Sequence, residues 1–480
     1  MQLQFFDSME EDSRDFYDSE EIGEAVKRFE KMMNANQVDY FDVFEVEGIV
    51  DYFLDEGQIS MANLAIDNGM KLHPTSIALQ IKKAQLLLVD EKVEETLEII
   101  RVVEQIEDSN SDVYLIKGSA LIMLEQIDAA ILAYEQAIFH NYDEEDELLY
   151  NIGLTLGQAG EIKKAISFLE RAYDANPENE QVLYELAYYC DKDNLDEKSI
   201  LYYNKYLDID PFNPSVWYNL GITFNRIGQH DKAVEAYDFS IALNGEFEQA
   251  LFNKANALSN NNQHEEAIEC YLEYLEIDKE NDDAYCYLGE CYLNLDRYNE
   301  ALVNYRKAIR LNKNNATAWY GSGLVMWIEN NLTESQSLIK KALKLDDANP
   351  DFWLMYGKIN HELGLYDQAE SAFEMATTLD PDNRESWISY AEMQYEQGLL
   401  QQSIDILKKA HKIIADDSNI NYRLTAYLLE NNEERSATDY FEIALKADFN
   451  SYRDLFDYYP KAQQNESIKQ LIKEYQSTKF

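Results

Sequence analysis

Apolar and polar positions along this chain recur with two superposed periods. Within short stretches the apolar residues fall three, four and seven apart, so Trp217, Leu220, Gly221 and Phe224 share one helical face, and Ala233, Tyr237 and Ser240 share a face of the next helix. Over longer stretches the same pattern returns every 34 residues. Stepping from Trp217 gives Leu251, Tyr285, Trp319, Trp353, Trp387 and Asn421 in one direction, and Leu183 and Leu149 in the other. One extra residue before Leu149 puts three weaker units at Tyr114, Gln80 and Val46.

Two small residues mark each unit. One stands four after the start, as in Gly118, Gly153, Ala187, Gly221, Gly289 and Gly357, and the other sixteen after it, as in Ala130, Ala165, Ala233, Ala301 and Ala369. Small side chains at these places let two helices approach closely. Pro74, Pro177, Pro211 and Pro381 share one register position and Pro214 and Pro350 another, at the junctions between units; Pro460 falls outside the pattern. The pattern predicts about twelve antiparallel helix pairs.

The motif W-x-x-L-G-x-x-F followed by A-x-x-x-Y at this period resembles the tetratricopeptide (TPR) repeat. The resemblance implies an all-α fold: an α-solenoid of about twelve helix-turn-helix units forming a right-handed superhelix, with first helices on the concave side. Cys190, Tyr206 and Asn421 depart from the usual residues at their positions. The expected organisation is an acidic tail over residues 1–18, a capping helix and link over 19–42, the array over 43–450, and closing helices over 451–480. Helical spacing at Ile22, Val26, Phe29 and Met33 marks the first cap; Leu455, Phe456, Tyr459, Ile468, Leu471 and Ile472 mark the last. Overall the chain looks most like long acidic bacterial TPR proteins.

One step along a helix turns the side chain by about 100°, so the residue after each start leaves the packed face. That register and its neighbours contain Tyr150, Asn151, Tyr184, Tyr218, Asn219, Arg226, Phe252, Asn253, Asn256, Tyr287, Tyr320 and Trp327. Amides can donate to and accept from an extended main chain, and tyrosines add apolar area with a polar tip. These are the candidate groove residues for a protein or peptide partner. TPR domains that clamp acidic chaperone tails use groove lysines beside asparagines. The matching positions here hold Tyr218, Ile222, Phe252 and Cys286, with Asn256 alone in place, so that activity is not expected.

Charge narrows the partner. Lys and Arg number 41 against 91 Asp and Glu, a net charge of -50. Such a chain is repelled by phosphate backbones and anionic lipid, so neither nucleic acid nor membrane is expected as a partner. Glu185, Asp191, Asp283, Glu290, Glu362, Glu392 and Glu396 suggest a groove for neutral or basic segments, although the same acids equally fit a solvated helical face. The start of the sequence lacks a leader pattern and no window is apolar enough to span a bilayer, so the expected location is the cytoplasm.

No catalytic chemistry is expected. The six histidines are scattered, and Cys190, Cys270, Cys286 and Cys291 lack the close pairs of a zinc module and read as reduced thiols. Asp191 to Glu197 has neither the glycine nor the terminal acid of a calcium loop. No nucleotide-binding glycine motif or nucleophile elbow occurs. The leading expectation is a cytoplasmic, non-catalytic scaffold without cofactor or metal. An acidic chaperone-like factor for basic clients and a self-associating structural protein are the alternatives, with monomer and homodimer both open.

Overall fold

The computed structural model describes residues 20–35, 39–141, 145–244 and 248–478. The acidic tail expected over 1–18 lies outside the described residues. The chain divides into two compact bodies at residues 247 and 248. Every described element is helical.

The N-terminal body begins with a helix, Glu20–Ala35, followed by six pairs running from Val43–Asp55 with Ile59–Leu72 to Pro214–Arg226 with His230–Leu243. The C-terminal body holds six more, from Glu248–Asn260 with His264–Ile277 to Ser418–Glu430 with Glu434–Ala447. We number the twelve pairs as repeats 1 to 12. Each starting position of the sequence register lies in the first helix of its pair, so the twelve units are the twelve pairs.

Caps and turns fix the ends of these helices. Asn110, Asn179, Asn213, Asn281, Asn315, Asn349 and Asn383 cap first helices through their side-chain oxygens, and Asp42, Ser76 and Asp417 occupy the same register position. Each relieves main-chain N–H groups that the first turn leaves without partners. Between the two helices of every pair one residue adopts the left-handed conformation, with φ from 56° to 84°. Glycine serves at repeats 1, 4, 6, 10 and 11; Glu91, Glu125, Asn194, Asn262, Asp296, Asn330 and Asn432 serve elsewhere. The indole N–H groups of Trp217, Trp319, Trp353 and Trp387 each donate to the main-chain oxygen six residues earlier, at 2.8–2.9 Å. Tryptophan at the start of a repeat therefore ties down the turn that precedes it as well as packing.

The small residue four after the start has a direct structural cause. A Cβ placed on Gly221 would lie 2.6 Å from the Tyr237 ring of the second helix, and one on Gly118 would lie 2.3 Å from Tyr134. Tyr134 and Tyr237 are almost wholly buried. The pair is held by a ring seated against bare backbone.

No single pair could bury its apolar face alone, and the apolar clusters run across neighbouring repeats. One in the N-terminal body extends from Tyr114 to Leu220, and one in the C-terminal body from Leu354 to Ile472. Ile22, Val26 and Phe29 of the leading helix pack with Phe41 and Phe53. Met33, expected on that face, is 36% exposed, and Met32 is buried in its place. The closing segment is a short helix, Asp454–Tyr458, a 3-10 turn, Pro460–Gln464, and a full helix, Glu466–Thr478. Leu455 and Ile468 are fully buried there. The four cysteines are buried free thiols, and burial pushes the Cys286 thiol up to about 12. No helix among the described residues is long and apolar enough to cross a membrane.

Candidate functional site

In the N-terminal body, the residues just before Tyr150 and Tyr184 are core. Leu149 and Leu183 are 1% and 0% exposed, while Tyr150 and Tyr184 are half-buried. The one-residue step takes the ring from the packed face to its edge. Tyr218 occupies the same position in repeat 6, with its ring 6.0 Å from that of Tyr237. Asn219, one residue further, stands near the hydroxyls of Tyr184 and Tyr203, so a single amide of repeat 6 faces both helices of repeat 5.

One acid stands among these rings. Burial holds the carboxyl of Glu185 above the usual range, with the charge of Lys192 opposing. Burial also raises Tyr150, and the Glu185 charge adds to it. The surface is thus tyrosine-rich, with a carboxylate poorly served by solvent.

Two expected contact residues in this body are otherwise employed. Asn151 is only 5% exposed, whereas Glu185, Asn219 and Asn253 at the same register are half-buried and Tyr287 is exposed, so its burial is particular to repeat 4. The Arg226 guanidinium donates to Asp191 at 2.6 Å and, through Nε, to Asp196 at 2.8 Å. Both acids belong to the polar turn region of repeat 5, so this arginine fastens one repeat to the next.

In the C-terminal body, Phe252 lies among the rings of Tyr271, Tyr274 and Tyr287, at 6.0, 5.1 and 5.9 Å between centroids. Tyr287 is 39% exposed and is the outermost ring of that group. Asn253 is half-buried. Asn256 accepts the Tyr271 hydroxyl at 2.5 Å, which gives that amide a structural task. Tyr320 stacks on Phe352 at 4.7 Å. Trp327 donates its indole N–H to Glu362 at 2.8 Å.

Trp327 also borders a cleft of about 340 Å³ that crosses the first helices of repeats 9 to 12. Its walls include Lys358, Glu362, Glu385, Ile388, Glu392 and Arg423, with Phe373 beneath. Lys358 pairs with Glu385, and Arg423 with Glu392. The register brings forward Trp327, Glu362 and Glu392 but not Lys358, Glu385 or Arg423. Arg423 follows the atypical Asn421 by two, and a departure from the repeat pattern was the signal available. Among the described residues no cluster of His, Cys, Asp or Glu could hold a metal ion.

Comparison with known proteins matches the tetratricopeptide repeat over residues 115–180, 150–214 and 202–235. The C-terminal domain of cilia and flagella-associated protein 70 matches over residues 244–454. No curated protein matches. Similar solved structures include PilF of Pseudomonas aeruginosa, 20% identical, covering 45% of this chain and 97% of that one with a TM-score of 0.39. YrrB, described as a TPR protein with an unusual peptide-binding site, is 20% identical and covers 38% of this chain and 95% of its own, with a TM-score of 0.31. MamA is 21% identical over 33% of this chain and 92% of its own, with a TM-score of 0.31.

Proposed function

We propose, from the premise that this chain is a tetratricopeptide-repeat protein, that it is a non-catalytic interaction scaffold binding extended polypeptide segments along its first helices. The observation that carries this reading is the series of half-buried tyrosines Tyr150, Tyr184 and Tyr218, at one register of three successive first helices. Rings spaced by a repeat, with hydroxyls at the polar edge, offer apolar area and hydrogen bonds to a chain that follows the array. The half-buried Glu185 and the net charge of -50 favour segments that are neutral or basic.

Capture from native lysate followed by mass spectrometry tests this. Replacing Tyr218, Asn219 and Asn253 together by alanine is expected to lower capture of the bound partners more than about tenfold while the far-UV helical signal is kept. Undiminished capture would move the contact surface elsewhere. The charge also supports a second reading, an acidic assembly factor that shields basic clients. On that reading the captured set is rich in basic proteins and is lost as salt is raised, because screening shortens the reach of the field. Capture indifferent to salt argues for the tyrosine surface instead.

A further inference from the structure

We infer that the cleft across repeats 9 to 12 holds an arginine side chain of an extended segment, its guanidinium over the Trp327 indole and paired with Glu362. This rests on the scaffold reading and names what one part of the surface recognises.

Charge matching within the cleft gives the first reason. Lys358 is matched by Glu385 and Arg423 by Glu392, and His361 stands 3.0 Å from Glu396. Glu362 accepts the Trp327 indole N–H. Among the described residues no lysine or arginine forms an ion pair with it. A carboxylate fixed against an indole presents the two things a guanidinium takes, a planar acceptor for its forked N–H groups and an aromatic face for its cation. An ammonium is a compact point charge and uses this geometry less well.

Arg423 gives the second reason. It is 9% exposed, its guanidinium lies over the Tyr458 ring at 4.3 Å, and its buried Nε has no hydrogen-bond partner. A buried N–H without an acceptor is costly. A main-chain carbonyl of a segment in the cleft supplies that acceptor after a small side-chain adjustment. Walls drawn from four successive repeats suit an extended chain better than a compact solute, and the half-buried Ile388 gives its apolar parts a floor.

The test is selection of random peptides of about a dozen residues, about 40 Å long when extended, displayed on phage against the full chain. Selected sequences are then synthesised and measured by fluorescence anisotropy. We expect arginine at a fixed place in one class, and affinity about tenfold weaker for Glu362→Gln and for peptides with citrulline at that place. Lysine there should cost less than citrulline. Trp327→Phe, which keeps an aromatic face but loses the indole donor, is expected to weaken binding less than Glu362→Gln. Unchanged melting curves keep these comparisons interpretable. Selected peptides that lack a basic residue, or whose affinity is indifferent to Glu362→Gln, overturn the inference and leave the scaffold reading standing. A chain that selects no peptide overturns both.

Discussion

At the scale of single residues, the tightest constraints lie where a side chain's chemistry and its register disagree. Glu185 occupies a place where neighbouring repeats carry Asn151 and Asn219, and burial disfavours its charged form. Its carboxyl holds its proton more firmly in the folded than in the unfolded chain, so the folded state loses stability as pH rises through the raised value. Below the ordinary carboxylate range both states are protonated and the penalty vanishes. Glu185→Gln is therefore expected to raise the melting temperature at pH 7, by about 2 °C, and to change it little near pH 4. Differential scanning calorimetry at the two pH values reads this directly, and an equal gain at both would show that burial of the charge is not the cause. If this surface binds basic segments, the same substitution should weaken capture at pH 7, since the carboxylate that destabilises the fold is the one that attracts the partner.

At the scale of elements, asparagine appears as punctuation. Asn315 caps the first helix of repeat 9 by accepting the Ala318 N–H at 2.8 Å, while its amide donates to Asp282 at 2.8 Å and Asp283 at 3.1 Å in repeat 8. Asn315→Ala removes a cap and takes one donor from each of two carboxylates, Asp282 keeping that of Asn312 at 2.9 Å, a loss of about 2 kcal/mol. Asn315→Asp keeps the cap oxygen but sets a third carboxylate against Asp282 and Asp283, so its destabilisation should shrink at acidic pH. Urea unfolding at pH 7 and pH 5 separates the two variants. Equal losses at both pH values for Asn315→Asp would mean that repulsion among the three carboxylates contributes little and that the lost amide hydrogen bonds carry the effect. The 34-residue register made the helix pairs legible, because period and small-residue spacing arise from the same packing that seats Tyr237 against Gly221. Contact residues were less legible. Register alone cannot tell Tyr184 at the edge of a helix from Asn151 turned inward, and Arg226 looked available until Asp191 and Asp196 were seen to hold it. Lys358 and Arg423 were missed because ion pairs between repeats depend on the relative placement of helices, which no single repeat encodes.

At the scale of the whole molecule, the dominant quantity is the net charge of -50. Some of the cations pair with nearby acids, as Lys117 does with Glu104 and Arg171 with Glu135. Such exposed pairs contribute roughly 0–1 kcal/mol each, and salt screens them. The unmatched acids repel one another over the whole chain, and a compact state suffers more from this than an expanded one. Added salt shortens the Debye length to about 8 Å at 0.15 M, which cuts most of that long-range repulsion while leaving pairs in contact. The two effects oppose each other, and the surplus of acids decides the sign. The melting temperature is therefore expected to rise by about 3–5 °C between roughly 0.02 M and 0.3 M sodium chloride, with potassium chloride acting alike because the effect is screening and not ion binding. Because neighbouring repeats unfold with partial independence, the transition should shift as a broad band and not as one sharp step. A melting temperature that falls with salt would show that ion pairs such as Lys358 with Glu385 and Arg423 with Glu392, and not repulsion among unmatched acids, govern the stability of the array.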